Sequence, residues 1–348
     1  MITLENDRLH FRFPEVHESA HCSVSFQRTL RIPDDGTPHS LPPGLGGFPL
    51  RHVDDYKSRL PEEWLRRGGV LMPMHQAEAM WISFGSHSGT PDYPFAVKIA
   101  TGKVCAVSGE TWTEHLNRDP QDYVVLPDQP WIDGYCVEKG LIRQFVAMPL
   151  GKGYTVEEQI TGVAEHGGIQ IIAYPMKAER YEAILAAREA RFADHLAVSD
   201  VMVLSDVLPS PSSLPRHRSM GLAPGGRMRQ EIYDDPYGLD AWDQRHASRC
   251  FVTIANSEQW MAITGEKPPT TPPTAKQYAD AGLPWFDYYD GDATAVGGAE
   301  KFADLASVAE IGAKKGETPL PENEPLTETR VVRLGRAGPR QVREPSLN

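Results

Sequence analysis

The sequence predicts an α+β fold, a mostly antiparallel or mixed β-sheet with helices packed on it, followed by an extended Pro-rich C-terminal region. Three observations carry that expectation. Short apolar runs of strand length are joined by tight Gly-containing turns, strongly helical segments are few, and no regular alternation of strand and long helix points to a parallel sheet. With 348 residues, 40% of them hydrophobic and 24% charged, the chain can bury a full core without metal or disulfide staples. The 30 Gly and 30 Pro imply many turns and short elements.

Taken in order, residues 23–32 alternate. Val24, Phe26, Leu30 and Ile32 share one face with Arg28, which predicts a half-buried strand. Pro33-Asp34-Asp35-Gly36 ends it, and residues 41–49 are too rich in Pro and Gly for a regular element. A short helix is expected within 54–67, its last turn opened by Pro61, Glu62 and Glu63 and stopped by Gly68-Gly69. Residues 70–84 are apolar but fit neither period, and Pro73 interrupts them. Residues 95–107 read as a hairpin turning at Thr101-Gly102-Lys103, and residues 135–148 as another turning at Glu138-Lys139-Gly140. Thr155 and Glu158 have capping-box spacing, so a short helix should follow Tyr154 and stop at Gly162. A buried strand at 169–174 ends at Pro175, and 178–196 is the clearest helix, with Tyr181, Ile184, Leu185, Arg188 and Phe192 at helical spacing. Because its connections are short, 131–177 reads as the centre of the fold, with its parts neighbours in space.

Residues 209–215, PSPSSLP, suit neither a helix nor a central strand. The expected organisation is therefore an α+β body over 1–205, a Pro/Ser-rich linker over 206–222, a smaller α/β region over 223–312 and a disordered tail over 313–348. The smaller region should hold strands at 227–233 and 249–255, a helix opened by Ser257 and stopped at Gly265, and helical segments at 275–281 and 299–311. The tail is basic, with Arg330, Arg333, Arg336, Arg340 and Arg343 against an acidic body.

A formal charge of −12 argues against a general phosphate-backbone binder, so no nucleic-acid partner is expected. The first residues lack a signal-peptide pattern and no run reaches the roughly 18 apolar residues of a membrane helix. A soluble, cytoplasmic protein without membrane insertion is the expectation. Cys22, Cys105, Cys136 and Cys250 form no CxxC pair and read as buried thiols.

Several residue groups invite a chemical reading. Glu165-His166-Gly167-Gly168 lies in a loop before a buried strand. His166 can act as general base there with Glu165, and the glycines can let N–H groups approach a substrate; the same residues also make a simple positive-φ turn. Cys136 could serve His166 as a nucleophile or be inert core. His75 and Glu78 have the spacing of a ligand pair on a helix. Asp287, Asp290 and Asp292 can offer oxygen ligands to a divalent ion, as can Asp234, Asp235, Asp240 and Asp243, or these aspartates can cap turns. Gly151-Lys152-Gly153 has the small residues and cation of a phosphate cradle without the full motif. Trp285, Phe286, Tyr288 and Tyr289 form an aromatic cluster suited to docking on the body or on a partner.

With no complete catalytic motif and no stretch matching a family signature, the leading expectation is a non-enzymatic binding or self-assembly protein, its partner another protein or itself. It needs no cofactor. The alternative is a hydrolase-type enzyme using the Glu165/His166 pair, with a divalent metal as an optional cofactor.

Overall fold

Residues 1–85, 92–192, 219–288, 294–328 and 330–334 are described by the structure, a computed structural model. Among them sixteen strands join one mostly antiparallel sheet with short helices packed on it, the α+β class that the hairpins predict. The sheet has two halves. In the first, Ile2–Glu5, Arg8–Arg12, His21–Thr29, Ala79–Gly85, Leu141–Pro149 and Met220–Arg229 lie side by side in that order. In the second, Ser248–Asn256 is followed by Ile169–Pro175, Phe95–Thr101 and Val124–Leu126, and Val70–Met74 pairs in parallel with the other edge of Ser248–Asn256.

The halves meet where Met220 pairs with Ile254. One apolar cluster takes Phe11, Phe26 and Ile82 from the first half and Phe95, Ile99 and Ile171 from the second, all at 0% exposure. Each such side chain contributes about 1.5–3 kcal/mol when fully buried. Apolar burial therefore joins the halves far more than strand pairing does.

The turn chemistry read from the sequence accounts for much of the local structure. Thr155 and Glu158 form the capping box of the helix Val156–Thr161, and Gly162 closes it in the left-handed conformation. Pro61 precedes the helix Glu62–Arg67. Phe95–Thr101 turns back at Gly102 and Lys103, both at positive φ. The strand at 23–32 differs from expectation: its second face is also covered, with Ser25, Thr29 and Arg31 all buried. Residues 70–84 resolve into two strands, Val70–Met74 and Ala79–Gly85, around a turn at 75–78.

The main differences lie beyond residue 205. Residues 206–218 of the expected linker are outside the described residues. At 227–233 the expected strand instead runs Met220–Arg229 and lies against Leu141–Pro149. Its sequence, MGLAPGGRMR, looks like a loop because Pro224 and two glycines punctuate it. Pro224 lies beside a register shift, where Gly225 and Gly226 stand opposite the single residue Gln144 of the partner strand. Gly226 is required by proximity, since a Cβ there would sit 2.3 Å from the Pro33 carbonyl oxygen. From the region 223–312, Trp242, Val252 and Ile254 belong to the same cluster as Phe11 and Phe95. Likewise 131–177 is not a run of spatial neighbours, because Met220–Arg229 and Ser248–Asn256 lie between Leu141–Pro149 and Ile169–Pro175.

The C-terminal region wraps the body. Trp285 is fully buried against Leu30, Ile32, Ile142 and Met228, and Trp285–Tyr288 pairs in parallel with Val331–Leu334. Within the expected tail, Glu328 accepts hydrogen bonds from His39 and from the Ser40 N–H, so the part up to 334 is structured where it is described. Arg336, Arg340 and Arg343 lie outside the described residues. Among the described residues no helix is long and apolar enough to cross a membrane.

Candidate functional site

The loop at 165–168 is held from both sides. Glu157, the second residue of Val156–Thr161, is 2% exposed, and its carboxylate accepts the N–H groups of Glu165 (2.9 Å), His166 (2.7 Å) and Gly167 (2.7 Å). Arg67, the last residue of Glu62–Arg67, donates to the carbonyl oxygens of Glu165 and His166, both at 2.6 Å. Its guanidinium also stacks over Phe251, 5.2 Å from the ring centroid. Gly168 is at φ +55, and a Cβ there would lie 2.4 Å from the Val252 carbonyl, so the loop presses directly on the neighbouring strand. The N–H groups expected to face a substrate are already taken, that of Gly167 by Glu157 and that of Gly168 by the Met220 carbonyl. No oxyanion-type site forms there.

The side chains of Glu165 and His166 line the rim of an open cleft of about 850 Å³. Its other walls come from separate segments: Arg66 and Arg67 from the first helix, Lys103 from a hairpin turn, Trp112 and Glu114 from a loop, and Arg249 to Phe251 from a strand. Gln170 ties two of these walls together, accepting the Lys103 N–H at 2.7 Å and donating to the Gly167 carbonyl at 3.0 Å. Lys98, 1% exposed, fixes the Trp112 wall. Its ammonium sits 5.5 Å from the Trp112 ring centroid and donates to Asp122 (2.5 Å), Thr113 (3.0 Å) and the His115 carbonyl (2.7 Å). Burial pushes Asp122 above the usual carboxylate range, even with that ammonium beside it.

The electrostatics of the cleft run against those of the whole chain. Arg67 pairs with Glu63 and Arg249 with Glu114. Among the described residues no carboxylate lies within ion-pair distance of Arg66 or Lys103, both exposed on the cleft. The Nε2 of His166 is 3.8 Å from Glu165 Oε2, too far for a hydrogen bond, and the two side chains are 33% and 66% exposed. The Cys250 thiol on the cleft wall is pushed up to about 12 by burial and stays protonated. Cys136 is core, its thiol also raised by burial to about 12, and it does not line the cleft, so it is no nucleophile for His166.

Other sequence candidates have structural partners where they are described. Asp287 pairs with Arg229 at 3.3 Å, while Tyr289, Asp290 and Asp292 lie outside the described residues. Among the described residues no group of three or more His, Cys, Asp or Glu is placed to hold a metal ion. Asp235 caps a turn, accepting the N–H groups of Tyr237 and Gly238, and also takes hydrogen bonds from Tyr123 and Trp242. In Gly151-Lys152-Gly153 the Gly153 N–H is taken by Glu158 at 2.6 Å, so no cradle is open there. Phe286 and Tyr288 are half-buried against the same cluster as Trp285.

His75 and Glu78 sit on a turn rather than a helix. Glu78 forms a buried pair with Arg28 and accepts the His75 N–H. His75 Nε2 lies 2.8 Å from the Pro269 carbonyl, which can only accept, so Nε2 carries a proton, and Nδ1 lies 2.7 Å from Ser257 Oγ. This Ser257–His75 contact pins the Pro-rich loop at 267–273 to the helix Ser257–Thr264. Sequence reading missed it because the partners are remote. It missed Arg67, Lys103, Trp112 and Arg249 for the same reason, since each comes from a different element with no motif around it. No family model, curated protein or solved structure matches the chain.

Proposed function

We propose that the chain is a non-enzymatic binding protein for a small anionic ligand with a flat or apolar body, taken up in the cleft beside His166. One observation carries this reading: among the described residues Arg66 and Lys103 stand without carboxylate partners on a cleft of about 850 Å³ in a chain of net charge −12. Clefts of roughly 300–1,000 Å³ suit small molecules. Half-buried Trp112 and Phe251 offer apolar walls for a ring, and the two free cations offer a place for its charge. The self-assembly branch loses its main anchor, because Trp285 is spent on this chain's own core. Four free, buried cysteines support a reducing, cytoplasmic setting.

Calorimetric titration with inorganic phosphate, benzoate and a nucleoside monophosphate tests it. The ligand combining ring and charge should bind best, and Arg66→Ala with Lys103→Ala should weaken it by roughly tenfold or more. Equal affinity in the double variant, or no binding by any of the three at about 1 mM, overturns the proposal.

The hydrolase reading is favoured only by the shared placement of Glu165 and His166 on the cleft. Turnover of an activated ester or phosphoester that His166→Gln abolishes, with ligand affinity unchanged, would establish it.

A further inference from the structure

Away from the cleft, the first half of the sheet holds an arrangement that the chain alone leaves unbalanced. Arg143 of Leu141–Pro149 stands directly opposite Arg227 of Met220–Arg229 in the antiparallel register. Like charges in that position repel. They also share a wall of one cavity of about 70 Å³, with Asp34, Ser307, Glu310 and the glycines 225 and 226 completing it. Arg143 is 7% exposed; it donates to the Leu305 carbonyl and reaches Glu310 only at 4.0 Å, and its Nε has no partner. The Nε of Arg227 is likewise buried and unpartnered.

The nearby carboxylates do not balance this pair. Asp34 takes Arg31 at 3.0 Å and the Ala309 N–H at 2.8 Å, both on Oδ2, and its buried Oδ1 has no partner. Glu310 is committed to the Ser307 N–H at 2.6 Å, and its side chain is 57% exposed. Counting Arg31, three guanidinium groups stand against two carboxylates, Asp34 shared with Arg31 and Glu310 largely exposed. Buried N–H donors without partners are costly, and those on a charged group are the costliest.

We propose that this cavity binds a small tetrahedral oxyanion of the phosphate or sulfate class between Arg143 and Arg227. The anion relieves the repulsion and takes the orphaned N–H groups, and guanidinium geometry suits such oxygens. The volume exceeds the roughly 30 Å³ share of one water and fits a small oxyanion. Gly225 and Gly226 line the cavity from Met220–Arg229.

The test is thermal unfolding and calorimetric titration of the full chain with sodium phosphate and sodium sulfate, at ionic strength held constant with chloride. A saturable rise in melting temperature with phosphate or sulfate, absent with chloride, is expected. Arg227→Gln, at a half-buried position, should remove it or weaken affinity by roughly tenfold or more, while Arg66→Ala with Lys103→Ala, in the separate cleft, should leave it intact. If Arg227→Gln does not fold, crystals soaked in selenate supply a second reading, with anomalous signal between the two arginines expected and its absence overturning the proposal. An unshifted melting temperature in wild type, meaning the cavity holds water only, overturns the proposal. So does a shift that survives Arg227→Gln or disappears in the cleft variant.

Discussion

Replacing Glu157 by Gln tests most directly how the cleft is built. The Glu165 and His166 N–H groups both go to Glu157 Oε1, at 2.9 and 2.7 Å, and the Gly167 N–H goes to Oε2 at 2.7 Å. A glutamine whose carbonyl oxygen replaces Oε1 keeps the first two bonds as neutral ones, losing about 1 kcal/mol each relative to charged bonds. Its NH₂ then faces the Gly167 N–H, donor against donor at a buried position, which adds about 1–3 kcal/mol. The expected loss is therefore about 3–5 kcal/mol, measured by urea unfolding with the m value checked for constancy. Hydrogen exchange should locate the damage at the 165–167 amides, and the cleft ligand should bind more weakly because the His166 wall loosens. A loss below about 0.5 kcal/mol, or unchanged protection of those three amides, would refute the claim that Glu157 organises the loop.

Three further outcomes follow from the geometry. Burial raises Asp133 to about 7, against hydrogen bonds from Trp131 and Gln230 that favour its ionised form. Between about pH 4 and 7 the folded chain holds a proton that the unfolded chain releases, so stability should fall as pH rises through that window, by up to about 4 kcal/mol. Asp133→Asn should flatten the slope and be the more stable form at pH 8, and identical unfolding curves for both proteins at pH 5 and pH 8 would remove this account. Gly226→Ala forces a Cβ toward the Pro33 carbonyl oxygen and should cost about 1–3 kcal/mol or more in thermal or urea unfolding; a neutral result would mean the two strands part easily there. Ser257→Ala should cost about 1 kcal/mol, and a fluorophosphonate probe should leave the wild type unlabelled if Ser257 and His75 serve only to pin a loop. Stoichiometric labelling of Ser257 would make that pair a nucleophile and its base.

What could be read in the sequence was what neighbouring residues decide. The cap at Thr155 and Glu158, the turn at Gly102 and Lys103, and the helix after Pro61 depend on residues within a few positions of one another, and all three form. The loop 165–168 could be singled out, but not its use: the carboxylate that fills its N–H groups lies eight to ten positions upstream and the guanidinium on its carbonyls nearly a hundred. Met220–Arg229 was hidden for another reason. Propensity speaks against Pro and Gly in a central strand, and only the closeness of Pro33 and Val146 explains why small residues are required there. The charge of the cleft was invisible because its cations arrive from three separate segments, each ordinary in its own surroundings.

The strand Ser248–Asn256 accepts Val70–Met74 on one edge and Ile169–Pro175 on the other. It thus joins two strands that leave the ribosome well before it does. At about 5–20 residues per second, Val70–Met74 waits roughly 10–40 s for its partner to be made, and Ile169–Pro175 waits roughly 4–16 s. Through that interval the nascent chain exposes apolar strands with unpaired edges, the condition under which chains stick to one another. Synthesis of this protein should therefore lean on chaperones that shelter unfinished sheets, and yields should respond to the pace of translation ahead of codon 248 more than to changes on the finished surface.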